Sequence, residues 1–286
     1  NSAQVTAYWR QRVQSNAPYE SIYTLGMRGI HDSGMPCSGA GDYEKMLKMQ
    51  DEIFPAQRQM LADYVNPDPS QVPQIFCPYK EVLGLYNLGL NVPDDVTLVW
   101  PDDNHGYIRH LSTPAEQTRS GKAGVYYHLS YWGVPANYLW LNSIPLSLIW
   151  EEMKKAYDYQ NSRVWIVNVG DLKPAEMGME FFLDMGWDID RWDRTSQADY
   201  IEHWAWREFG PTHRKQISEI MLEYYRLGLA KKPEHLTSGG IGFSMINFGD
   251  EMQQRIDQYA HLESQAAGIY ESLADPYKDA FYQLVL

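Results

Sequence analysis

Asp32 and Glu81 each follow a short apolar run, and each has a cation close by in sequence, Arg28 and Lys80. A carboxylate pair suits general acid/base work, which needs one group held protonated and the other ionised by different surroundings. Glu81 also opens a stretch of helical character, where the helix dipole favours an acid, so a structural role fits it equally well. The run WPDDNHGY at 100–107 is denser, with Asp102, Asp103, Asn104 and His105 in succession. Two acids, an amide and an imidazole could bind a metal through oxygen and nitrogen. They could also form a hydrogen-bonding platform for sugar hydroxyls. A catalytic metal would want further His partners at fixed spacing, and no HxH or HExxH occurs, so the platform is favoured. There is no G-x-S-x-G elbow for an acyl-transfer nucleophile. Neither glycine-rich phosphate loop is present, so no nucleotide cofactor is implied.

These residues sit in a chain of 286 amino acids with net charge −13, from 24 Lys+Arg against 37 Asp+Glu. Phosphate neutralisation needs clustered cations, and no dense basic run exists, which argues against nucleic acid as a partner. No apolar stretch approaches the roughly 20 residues of a membrane span. The chain starts at Asn1 with no basic-then-apolar leader and ends on the apolar run from Phe281 to Leu286, which reads as part of a longer protein. Cys37 and Cys77 make no disulfide framework and read as two buried thiols. Eight Phe, ten Trp and 21 Tyr are unusually many, and a good share lie in polar segments containing Gly and Pro. Amphipathic rings in loops suit a flat ligand such as a sugar, or they pack loops onto the body.

Five runs read as strands, 22–27, 74–78, 96–100, 124–128 and 164–169, each rich in β-branched or aromatic residues between turn-formers. Helical stretches alternate with them at 43–65, 80–88, 143–159 and 174–186. The first is two helices or one kinked helix, because Pro55 suits a first turn and not an interior. Strand–loop–helix alternation predicts right-handed crossovers and a parallel sheet, hence an α/β class. An eight-stranded barrel takes about 250 residues, so five units before Trp187 leave three missing. Beyond it, 196–209, 212–229 and 251–286 read as long amphipathic helices without intervening strands, and the Asp- and Arg-rich join at 188–194 marks a domain boundary. In parallel α/β folds the chemistry gathers in loops after the strands. Those loops carry Arg28, His31 and Asp32, then Tyr79, Lys80 and Glu81, then 102–105, then His128, Tyr131 and Trp132, and finally Asn168.

The segments YTLGMRGIHDSG (23–34), VPQIFCPYKE (72–81), VPDDVTLVWPDDNHGYIR (92–109), GVYYHLSYWG (124–133) and VNVGDLKPAE (167–176) closely resemble glycoside hydrolase family 115. The resemblance implies a xylan α-1,2-glucuronidase, removing glucuronic acid or its 4-O-methyl ether from glucuronoxylan; no cofactor or metal is expected. It implies a partial (β/α)8 TIM-type barrel: residues 1–190 would be the later part of the barrel and 191–286 an incomplete helical domain. It also implies an inverting reaction with Asp32 and Glu81 as catalytic carboxylates, Arg28 and Asn104 as further functional positions, and His128 and Asn168 in the pocket. Such a pair sits about 6.5–9.5 Å apart to admit the attacking water. Arg28 is the expected partner of the uronate carboxylate, since a guanidinium binds it at two points. His31, Asn104 and His105 would meet the sugar, and Tyr127, Tyr131 or Trp132 would stack on a ring. The parent protein is expected to be secreted or periplasmic, with a homodimer as a candidate assembly, and this stretch alone is expected to be inactive. Two rival functions are a non-catalytic carbohydrate-binding protein and a metal-dependent hydrolase built on Asp102, Asp103, His105 and His128.

Overall fold

The computed structural model describes residues 2–29, 33–35, 42–133, 138–236 and 242–285. Five strands run in one parallel sheet in sequence order: β1 (Tyr23–Thr24), β2 (Gln74–Phe76), β3 (Thr97–Pro101), β4 (Ala123–His128) and β5 (Trp165–Asn168). They form a half-barrel, as the five expected βα units imply. Helices α1 (Ser2–Asn16), α2 (Tyr43–Tyr64), α3 (Glu81–Asn87), α4 (Pro114–Gln117), α5 (Leu146–Asp158) and α6 (Glu176–Trp187) interleave with the strands. Then come α7 (Gln197–Phe209), α8 (Arg214–Ala230), α9 (Glu251–Ser272) and α10 (Asp275–Val285).

The chain divides into two compact units that are interleaved in sequence. One comprises Asn1–Pro101, Ile108–Tyr126 and Ala156–Trp165. Its core is built on β3, all five of whose residues are buried. Burial on both faces is what a parallel strand covered by helices requires. Trp100 at its end is fully buried, packs edge-on against Tyr86 at 5.2 Å and donates its indole N–H to Ser112 Oγ at 2.9 Å. Each large side chain so buried contributes roughly 1.5–3 kcal/mol.

Helix α2 runs unbroken past Pro55, deciding between the two expectations for 43–65. It buries Met46, Gln50, Phe54, Gln57 and Leu61, a three- and four-residue spacing that forms one inward stripe. Phe54 meets Phe76 of β2 at 5.1 Å. The two glutamines do more than pack. Gly26 N–H donates to Gln57 Oε1 at 2.8 Å, Met27 N–H donates to Gln50 Oε1 at 3.2 Å, and Gln50 Nε2 returns a bond to the Met27 carbonyl at 2.8 Å. Side-chain amides therefore satisfy the backbone leading to Arg28, which is why β1 ends at Thr24 and not at residue 27.

The other unit comprises Asp102–Tyr107, Tyr127–Lys155 and Ile166–Leu286. Its aromatic core runs from Tyr127 stacked on Phe182 at 5.9 Å, through Phe181 and Tyr200 at 4.9 Å, to Phe209 and Phe281 at 5.5 Å. The expected single helix over 251–286 is two. Leu273 is extended (φ −69°, ψ 146°), and Pro276 falls in the first turn of α10, where no N–H is needed. Helix α1 was not expected, because its apolar residues are few and irregularly spaced. Among the described residues no helix is long and apolar enough to cross a membrane.

Candidate active site

In the first unit, Glu81 is the first residue of α3, joined to β2 by residues 77–80. Lys80 before it has φ +51°, ψ −120°, a backbone conformation that a non-glycine residue adopts at a cost of about 1–3 kcal/mol and that gathers at functional sites. The turn aims Glu81 at Arg28. Its Oε2 accepts from Arg28 Nη2 at 2.9 Å, and its Oε1 accepts from Arg28 Nε at 3.2 Å and from the Met35 N–H at 3.1 Å. Both side chains are about four-fifths covered, at 18% and 20% exposure, so the fork-like pair is screened less than a surface ion pair. The guanidinium also lies over the Tyr79 ring at 4.9 Å, with the Lys80 ammonium 5.0 Å from the same ring. His31 and Asp32 lie outside the described residues, as does Cys37, while Cys77 is half-buried and not fully buried as expected.

Strand alternation settles the aromatic assignment on β4. Tyr126 is half-buried with its ring 6.0 Å from Tyr79, on the side of the Arg28–Glu81 pair. Tyr127 points the other way, is fully buried and carries Phe182 on its face. It is a core residue, a correction to its expected stacking role, and its neighbour is the aromatic that sequence reasoning passed over.

In the second unit, Asp102 organises the loop after β3. Oδ1 accepts from His128 Nδ1 at 2.6 Å and the Asn104 N–H at 3.0 Å, and Oδ2 accepts from the His128 N–H at 3.0 Å and the Gly106 N–H at 3.1 Å. Asp103 Oδ1 accepts from the His105 N–H at 2.9 Å and the Tyr107 N–H at 3.1 Å. These oxygens are turned onto N–H donors, which is the geometry of a loop anchor and not of a metal ligand. Among the described residues no group of three or more His, Cys, Asp or Glu could hold a metal. Gly106 needs φ +94°, and a Cβ there would come within 2.9 Å of Leu148 and 3.0 Å of Tyr127 Oη.

The anchored loop presents Asn104, at φ +74°, and His105. His105 stands edge-on to His235 at 4.5 Å and to Tyr131 at 6.1 Å. Burial first, then the neighbouring His235, lowers its pKa, so its ring is neutral at pH 7. His128 is almost fully buried, edge-on to Tyr131 at 5.8 Å, and acts from behind the loop. Asn168, at the end of β5, accepts the Leu129 N–H on its carbonyl at 2.8 Å and the Gly170 N–H on Oδ1 at 3.3 Å. Trp132 is 55% exposed and free to offer a ring face. A narrow crevice is lined by Asn104, Tyr131, Ser143 and Glu234. Nothing in the sequence points to Glu234, because it lies in the 3-10 turn Pro233–His235 far along the chain.

A family model described as glycosyl hydrolase family 115 matches residues 1–235. No curated protein matches the chain. Among solved structures, a family GH115 4-O-methyl-α-glucuronidase with specificity for decorated arabinogalactans is similar at 42% identity and a TM-score of 0.89. The similarity covers 100% of this chain and 38% of that protein, so the chain spans well under half of that protein's length. With the family model matching most of its residues, the chain belongs to glycosyl hydrolase family 115.

Proposed function

We propose that this chain supplies part of the active site of an α-glucuronidase. The full-length enzyme removes glucuronic acid or 4-O-methyl-glucuronic acid, α-1,2-linked, from glucuronoxylan. The observation that carries this is the Arg28–Glu81 pair, two contacts of 2.9 and 3.2 Å between the segments that follow adjacent strands. A guanidinium is the group suited to a uronate carboxylate, and a carboxylate beside it is suited to proton transfer at the anomeric centre. Against a background charge of −13, an anionic sugar needs such a local cation.

The reaction follows the inverting pattern, with Asp32 and Glu81 as the carboxylates. One protonates the leaving xylose oxygen as the C1–O bond breaks. The other takes a proton from water as its oxygen bonds to C1 from the opposite face. Asn104 and His105 hydrogen-bond sugar hydroxyls, His31 and Asn168 belong to the same set of contacts, and Tyr131 or Trp132 stacks on a ring. His128 positions Asp102 and hence the loop. Export to the compartment of the polysaccharide and a homodimer of the full-length enzyme belong with this role.

The similar solved structure brings a second substrate, a decorated arabinogalactan. Full-length protein given each polymer separately, with the released uronate followed by proton NMR, distinguishes them. Glucuronoxylan should be the better substrate, and the first anomer to appear should be β. Asp32→Ala and Glu81→Ala should each lower release at least about 100-fold, the usual size of a general acid/base contribution. Near wild-type release by both variants would sink the assignment, and binding without any release by the wild type would make the protein a carbohydrate binder.

A further inference from the structure

Lys232 is only 8% exposed, and a buried ammonium is costly unless charge or hydrogen bonds oppose it. It joins α8 to the turn Pro233–His235. Its Nζ donates to the Ser143 carbonyl at 3.2 Å, and the carboxylates that favour its charged form are Glu234, Asp103 and Asp102. Burial lowers its pKa to about 8, against the opposing pull of all three. Two further contacts come from the same turn. Glu234 Oε1 accepts from Ser143 Oγ at 2.8 Å, and His235 Nε2 lies 3.4 Å from His105 Nε2. Glu234 Oε2 is buried with no protein partner among the described residues, in the crevice that Asn104 and Tyr131 also line.

We propose that Lys232 is a positioning residue of the active site: its Nζ on the Ser143 carbonyl fixes the turn whose His235 stands against His105, so that the 102–107 loop holds Asn104 and His105 toward the sugar. This rests on the loop's contact with the sugar in the function proposed above. Two carboxylates adjacent in sequence, Asp102 buried and Asp103 half-buried, repel one another. The Lys232 charge, held on the turn by the Ser143 carbonyl, acts in the direction that offsets that repulsion. Helical residues far along the chain thereby set the geometry of a loop at the end of β3.

The test uses the full-length enzyme with Lys232→Met and Lys232→Arg. In the Met variant KM should rise about tenfold, equivalent to losing one charge-assisted hydrogen bond, with kcat nearly unchanged. The Arg variant should recover most of the loss. The pH profile separates positioning from packing. Wild-type kcat/KM should fall above about pH 8 as Lys232 loses its proton, and this limb should vanish in the Met variant. The acid limb should move to higher pH, because His105, lowered by burial, His235 and Lys232 and raised by Asp103 and Glu234, loses one repelling charge. Wild-type KM and an unmoved profile in the Met variant overturn the proposal. If the Met variant does not fold, the Arg variant decides, since its charge persists: retention of a limb near pH 8 there counts against Lys232. If the wild type releases no uronate at all, the proposed function fails by itself. The role of Lys232 is then read from the C2-hydrogen exchange of His105 by mass spectrometry, whose midpoint should rise in Lys232→Met. An unchanged midpoint overturns it.

Discussion

Asp102→Asn removes one charge while keeping nearly the same shape, at a carboxylate whose side chain is completely covered. Four N–H groups converge on its two oxygens. An amide can replace only one of those oxygens with oxygen, so its NH2 must face two N–H donors whichever way it is turned. If the amide oxygen keeps His128 Nδ1 and the Asn104 N–H, the Gly106 and His128 backbone N–H groups are orphaned. Each buried donor left unpaired costs about 1–3 kcal/mol, and replacing a charged acceptor for His128 by a neutral one costs about 1 kcal/mol more. The sum, about 4 kcal/mol, is close to a 10³-fold change in a local opening equilibrium. Amide hydrogen exchange, read by mass spectrometry on peptides spanning 102–107 and 123–131 of the full-length protein, measures that opening directly. The variant should lose about three decades of protection there and little in α2 or α9. Release of uronate should fall with it, because Asn104 and His105 lose their anchor. Wild-type exchange in both peptides would refute the reasoning, since it would mean that the carboxylate's charge and both oxygens are dispensable.

Arg28→Lys keeps the charge but not the planar fork that meets Glu81 through Nε and Nη2. In steady-state kinetics it should raise KM for uronate-bearing substrate about 10- to 100-fold, as the loss of two-point binding implies. Gly124→Ala on β4 would set a Cβ 2.1 Å from the Val164 carbonyl oxygen, so the β4–β5 spacing must give. A lowered thermal unfolding midpoint is expected, by roughly 1–3 kcal/mol of overpacking, and an unchanged midpoint would show that the sheet opens freely there. Lys232 has a folded-state pKa near 8 against an ordinary 10.5, so the unfolded chain binds its proton more tightly. Its burial therefore opposes folding below pH 8, and stability relative to Lys232→Met should rise between pH 8 and 10.5. A flat or falling difference in denaturant titrations across that window would show the ammonium to be solvated.

Much of the scaffold was legible in the sequence because it is written in local periodicity. The runs at 74–78, 96–100, 124–128 and 164–169 each overlap a strand of the parallel sheet, to within one residue at the ends of β3 and β4, and the order of elements follows from covalent connection and from the right-handed crossover. Glu81 at the start of α3 and the Asn104–His105 loop after β3 could be placed for the same reason. What failed locally failed where a distant partner intervened. β1 is short because Gln50 and Gln57 of α2 take its backbone bonds. The division between α9 and α10 was open to reading from Pro276, a residue suited to a first turn.

Other features were decided by tertiary packing. Period-two alternation says that Tyr126 and Tyr127 face opposite ways, but not which of them meets Tyr79 and which meets Phe182. Asp102 and Asp103 look like ligands in a one-dimensional string, and become loop anchors once their own backbone curls back to them. The contact between His105 and His235 spans 130 positions, and no spacing rule reaches that far. The sequence by itself determined the residue types and the elements that carry them, because propensity and periodicity act between near neighbours. Which oxygens stayed open, which ring faced the site and which helical turn closed behind the loop were set by the folded chain, because burial and charge pairing depend on groups that only the fold brings together.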